Sequence, residues 1–148
     1  MINTPGGFLL AVFLAARPEI APSAPTGLTS PEAVVESQLE AYNAHDVAAF
    51  LAAYADDAQI FEHPAKLLAN GKAEMRERYT ARFKEANLHA VVVKRIVMGN
   101  IVVDHERVTR TFPEGPGTAD AVLIYEIQSG KIARAWLIPG PKILESKR

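Results

Sequence analysis

The chain has no cysteine, which excludes disulfides, thiol nucleophiles, thiolate-held metals and iron–sulfur clusters, and removes any clue to redox compartment. Histidine is scarce as well. His45, His63, His89 and His105 show neither His-x-His nor His-x-x-x-His spacing, so no metal is expected. A glycine-rich phosphate loop and a Gly-x-Ser-x-Gly elbow are also missing, and no cofactor is expected. Neither sign of charge accumulates: 16 basic residues stand against 17 acidic ones, for a formal net charge of −1. Arg76, Arg78, Arg82 and Lys84 are interleaved with Glu74, Glu77 and Glu85, as on a solvated helix face. Without a basic stripe for a phosphate backbone, nucleic acid is not an expected partner. The apolar run Gly7–Ala16 falls far short of the ~20 residues that span a bilayer, so no stable membrane insertion is expected.

That run does match a signal-peptide core in length, and Ala21-Pro22-Ser23-Ala24 supplies small residues suited to cleavage. Met1 to Gly6 carries no lysine or arginine, however, and Pro25 follows the most obvious cut. An exported, periplasmic protein and a cytoplasmic one with a leader outside the fold stay equally open. Arg17 to Ser30, broken by Pro18, Pro22 and Pro25, reads as a linker. Residues 1–30 are therefore set apart, 31–139 form one domain, and 140–148 read as a polar tail. With 148 residues, 49% hydrophobic and 22% charged, the composition is that of a globular domain with a single core.

Within the domain, Ser30 is placed to cap a helix that begins at Pro31 and buries Val35, Leu39 and Tyr42. Asp46 caps a second helix with Val47, Phe50, Leu51 and Tyr54 on one face. A strand over Ala58–His63 follows, with Lys66–Ala69 pairing back against it. Gly71 opens a third helix running to about Ala86, with Met75, Tyr79 and Phe83 buried and a surface Glu74–Arg78 pair. The remainder is strand: Leu88–Met98, Ile101–Phe112, a loop over Pro113–Thr118, and a hairpin of Ala121–Ile127 with Lys131–Ile138. Helices followed by long hairpin strands predict an α+β fold, a curved antiparallel sheet with about three N-terminal helices in its concavity.

Two stretches carry candidate chemistry. The first strand ends in Phe61-Glu62-His63-Pro64, and alternation lets only one of Glu62 and His63 face a pocket. If Phe61 points inward, so does His63; if Ile60 does, so does Glu62. Histidine titrates near ~6.5, a value suited to proton transfer at neutral pH. Further on, Asp104-His105-Glu106 interrupts an apolar strand. Asp104 and Glu106 share one face, while Val103, His105 and Arg107 share the other. Charges there need partners, with Arg95 or Arg134 on neighbouring strands available, so one of these faces lines a pocket or a subunit interface. Tyr42, Tyr54, Tyr79 and Tyr125 fall on predicted inner faces, where packing is their default role and an exposed hydroxyl a possible donor. Trp136 reads as a pocket wall.

The order of these features, the Asn43-Ala44-His45-Asp46 turn, "YADDAQIFEHP", "GKAEMRERY" and a terminal "YEIQSGKIARAW" together resemble the SnoaL-like and ketosteroid-isomerase branch of the nuclear-transport-factor-2-like superfamily. The resemblance covers Pro31 to about Pro139. It implies a cone-shaped barrel around an apolar pocket, often dimeric through the outer face of the sheet. It also implies roles. The first-helix tyrosine of ketosteroid isomerase falls on Gln38, its base aspartate on Glu62 or, with one residue inserted, on His63. Its oxyanion aspartic acid falls near Val122 or Leu123, and the aspartate after the tryptophan of some cyclases falls on Leu137. Together these readings imply a cofactor-free domain that binds, and isomerises or hydrates, a carbonyl-bearing apolar molecule of steroid or polyketide type. His63 or Glu62 would move the proton. Gln38 or a tyrosine would polarise the carbonyl, and Phe61, His105 and Trp136 would complete the binding residues. The alternative is a non-catalytic carrier or dimeric scaffold.

Overall fold

A computed structural model describes residues 29–145. The apolar run Gly7–Ala16, the question of export and most of the linker lie outside the described residues.

The first helix, α1 (Pro31–Asn43), begins where Ser30, extended at ψ 149°, accepts a hydrogen bond from Ala33 N at 3.2 Å. It buries Val34, Val35, Gln38, Leu39 and Ala41. The chain then turns through His45, held at φ 56°, before Asp46 caps α2 (Val47–Ala52) by accepting from Ala49 N at 2.9 Å. This turn is tied to the sheet by side chains that imitate strand pairing. Asn43 donates to Ala90 O at 2.9 Å and accepts from Ala90 N at 2.8 Å, and His45 Nε2 lies 2.8 Å from Leu88 O.

The strands are β1 (Tyr54–Glu62), β2 (Lys66–Asn70), β3 (His89–Met98), β4 (Ile101–Phe112), β5 (Gly115–Gln128) and β6 (Lys131–Leu144), with α3 (Gly71–Arg82) between β2 and β3. They form one curved, unclosed sheet in the order β2-β1-β6-β5-β4-β3. The N-terminal helices pack against it, α1 against β3 to β6 and α3 against β1 and β2. The α+β architecture is the one predicted. One junction differs from an all-antiparallel reading: β1 and β6 run parallel, because the last strand returns beside the first.

Several boundaries also differ, among them the third helix, which ends at Arg82 and not near Ala86. The first strand starts at Tyr54, directly after the α2 cap. The loop expected over Pro113–Thr118 shrinks to Pro113-Glu114, since Phe112 already pairs with Gly115. The residues read as a tail continue β6, whose pairing with β5 extends to Gly117–Leu144. Glycine permits that extension. A Cβ on Gly117 would lie 2.3 Å from the Ile143 carbonyl oxygen, closer than any side chain allows. Between helices and sheet lies an aromatic core, in which the Phe50 ring sits 4.2 Å from Tyr79 and 5.5 Å from Phe83.

Candidate functional site

Alternation along β4 directs Asp104, Glu106, Val108 and Arg110 toward the helices, and it places two acids where water is scarce. Asp104 has no exposed surface. Its carboxylate is held by Arg95 in a two-pronged pair, Nε to Oδ1 at 2.7 Å and Nη2 to Oδ2 at 2.8 Å. Arg95 also reaches Glu36 on α1 at 2.6 Å, so the pair fastens helix to sheet. One step along the same face, Glu106 has no such cation. It lines a cavity of about 460 Å³ enclosed by the helices and the sheet.

Burial, followed by the negative charge of Asp104, pushes the Glu106 carboxyl from an ordinary 4.5 up to about 7. Its neighbours are neutral donors and acceptors. The Tyr125 hydroxyl lies 3.5 Å from Glu106 Oε1 and 3.4 Å from Gln38 Oε1, both at the long edge of hydrogen bonding. Burial holds the hydroxyls of Tyr42, Tyr54, Tyr79 and Tyr125 protonated. The walls between are apolar: Leu39, Ile60, Leu68, Val108, Leu123 and Ala135. The lining also carries Arg78 and Arg82 from α3, Arg110 from β4 and Lys142 from β6; Arg82 and Arg110 meet at Glu85, and Arg110 and Lys142 both approach the Phe112 ring, which gathers the basic groups at one end. Lys142 arrives there through an irregularity in the ladder. Ala121 pairs with Pro139 but Ala119 with Lys142, so an extra residue on β6 returns Lys142 to the inner face. Gly140 forms that step, where a Cβ would lie 2.6 Å from the Asp120 carbonyl oxygen.

Of the residues nominated from sequence, the fold brings Gln38, Tyr42, Tyr54, Tyr79 and Tyr125 to the cavity lining; Trp136 borders it too, but from the strand position paired with Phe61. Glu62, His63, Phe61 and His105 are not among the lining residues. On β1 it is Ile60 that faces inward, which by alternation turns Phe61 and His63 away. Phe61 stacks on Trp136, with ring centroids 5.9 Å apart, and His63 is exposed with its amide donating to Leu137 O at 2.8 Å. Glu62 shares the parity of Ile60 but ends the strand, where Lys66 Nζ approaches it at 3.6 Å. His105 points to the outer face, 3.5 Å from Asp120. The acid at the cavity is therefore Glu106, on the fourth strand. Its signal in the sequence was the pair of carboxylates two residues apart inside an apolar strand, with Arg95 available for only one of them.

Residues 35–135 match the family described as the SnoaL-like domain. The chain belongs to that family. Solved structures agree on the fold. A protein described as having a cystatin fold, from Novosphingobium aromaticivorans, is 25% identical with a TM-score of 0.69, over 74% of this chain and 98% of its own. A nuclear-transport-factor-2-like protein of unknown function from Cytophaga hutchinsonii is 18% identical with a TM-score of 0.63, over 76% of this chain and 91% of its own. A protein with a ketosteroid-isomerase-like fold from Catenulispora acidiphila, in complex with trimethylamine, is 15% identical with a TM-score of 0.62, over 74% of this chain and 85% of its own. No curated protein matches the chain. This SnoaL-like domain thus shares its scaffold with a broad superfamily, and any activity has to be argued from its own cavity.

Proposed function

We propose that the SnoaL-like domain binds an apolar, carbonyl-bearing small molecule in the cavity and moves a proton on it with Glu106. The observation that carries this reading is a single carboxyl, pushed up to about 7, facing apolar walls beside a tyrosine hydroxyl. At neutral pH such a group is present both as base and as acid, the condition under which general acid–base catalysis is most effective. As carboxylate, Glu106 removes a proton from the carbon next to the carbonyl. The C–H electron pair becomes the carbon–carbon double bond of an enolate, and the negative charge passes to oxygen. Tyr125, kept neutral by burial and only loosely bonded to Gln38 and Glu106, is free to turn its hydroxyl toward that oxygen. Glu106, now protonated, returns the proton at the same carbon or at a conjugated one, which completes exchange or isomerisation. Proton exchange into bound ketones tests this directly. The expected result is deuterium uptake next to the carbonyl of cyclic enones in heavy water, slowed by about 10²-fold or more in Glu106→Gln. Binding with uptake unchanged in that variant would overturn the catalytic role, and binding without uptake would leave a carrier.

A homodimer belongs to the same proposal. It is supported by the apolar outer face of β3, where Val91 and Ile96 are about half exposed at 54% and 51%.

A further inference from the structure

We infer that the ligand carries a carboxylate, held at the basic end of the cavity while its carbonyl reaches Glu106. This rests on the reading of the cavity as a site for an apolar carbonyl compound and specifies the rest of that molecule. Four cationic side chains, Arg78, Arg82, Arg110 and Lys142, line one cavity whose walls are otherwise largely apolar. Among the described residues, two carboxylates meet them. Glu85 is shared, 2.7 Å from Arg110 Nη2 and 3.8 Å from Arg82 Nε, and Glu114 meets Lys142.

Among the described residues Arg78 meets the Tyr79 hydroxyl but no carboxylate, for an identifiable reason. Glu74, the acid one turn before it, is turned the other way, where it accepts from Asn70 N at 2.7 Å at the start of α3. Arg110 is incompletely satisfied as well: its Nε is buried without a hydrogen-bond partner. Asp120 borders the cavity, but its carboxylate is turned to Arg107 at 2.8 Å and to His105 at 3.5 Å on the outer face. A surplus of guanidinium donors beside apolar walls matches a planar carboxylate, which accepts two parallel N–H bonds. The spacing is also fixed by the fold. Glu106 and Arg110 share a face of β4 four residues apart, about 13 Å between Cα atoms at the rise of a strand. A molecule with its carbonyl and carboxylate at opposite ends of a short apolar chain spans that distance once both side chains extend toward it.

The test compares ω-benzoylhexanoate with its methyl ester by calorimetric titration of the purified protein. The acid is expected to bind at least about tenfold more tightly than the ester at low salt, the equivalent of one charge-assisted contact. Its advantage should shrink as sodium chloride is raised. In Arg78→Gln/Lys142→Gln, which leaves the Glu85 pairs intact, the acid should fall to the affinity of the ester while the ester is unchanged. Equal binding of acid and ester, or a preference for the ester, would overturn the carboxylate inference and leave the apolar-carbonyl reading standing. No binding of either compound would overturn both. An acid preference that survives in the double variant would also refute the assignment to this basic end.

Discussion

Glu106 and Asp104 sit two residues apart on one strand face, yet their surroundings give them opposite consequences. Asp104 is buried with a two-pronged partner, whereas Glu106 is buried without one. Because the folded Glu106 holds its proton up to about 7 and the unfolded one only to about 4.5, the folded state binds more protons across that window. Stability is therefore unaffected by this group below the lower value, falls as pH rises between the two, and carries the full penalty above the upper. The penalty is about 3 kcal/mol at most. Glu106→Gln should accordingly be more stable than the wild type at about pH 8 and similar to it below the window. Urea midpoints measured at both ends would show this, and a variant destabilised equally at all pH values would contradict it. Asp104→Asn acts differently. It leaves the Arg95 guanidinium without its buried counter-ion and should cost about 3–5 kcal/mol. Since the Asp104 charge is also what helps raise Glu106, the same variant should shift the acid limb of any proton-exchange rate to lower pH.

At the level of elements, the joint between α1 and α2 does more than reverse the chain. The Asn43 amide supplies both a donor and an acceptor to Ala90 at the start of β3, so it acts as one more rung of the sheet. Asn43→Ala removes both and leaves a half-buried peptide group unpaired, with an expected loss of about 2 kcal/mol in chemical denaturation. A variant as stable as the wild type would show that water replaces the rung. Much of this element structure was legible in the chain. Ser30-Pro31 and Asp46 announced the helix starts because capping is a local exchange between a side chain and the nearest free amides. Pairing of Arg95 with Asp104 was among the expected arrangements because buried charge demands an opposite charge on a neighbouring strand. What was not legible depended on register. The inward face of β1, and so the fate of Glu62 and His63, is set by its parallel pairing with β6, a strand remote in sequence, in which Glu62 meets Leu137. The placement of Lys142 follows from one extra residue opposite Ala119–Ala121, which no periodicity reveals. The Glu74–Arg78 pair failed because helix spacing allows it but does not exclude a competing bond to a backbone amide.

The whole molecule buries one face of its sheet under helices and leaves the other to be accounted for. On the outer face, Ile96 of β3 stands beside Val103 of β4 and Ile124 of β5, in register across three strands, with Val122 the next outward residue on β5 and Val91 farther along β3 beside Arg107. Met98, near the end of β3, is 75% exposed. That Val91 and Ile96 share this face depends on an irregularity. Val92 pairs with Glu106 but Lys94 with His105, so Val93 is the extra residue, and it restores Ile96 to the same face as Val91. An exposed apolar row of this kind, rimmed by Lys94, His105 and Arg107, marks an interface more often than chance exposure. We expect a dimer related by a two-fold axis, with this patch meeting its own copy. Sedimentation velocity at micromolar concentration should give a species of twice the 16.1 kDa chain mass. In Ile96→Lys the two copies would bring like charges into apolar contact, so that variant should sediment as a monomer with its fold retained. A wild type that is monomeric at every concentration would end the dimer proposal, and a dimer indifferent to Ile96→Lys would move the interface elsewhere. Because the cavity lies on the opposite side of the sheet, the monomeric variant should still bind a ketone with near wild-type affinity, which separates assembly from the chemistry at Glu106.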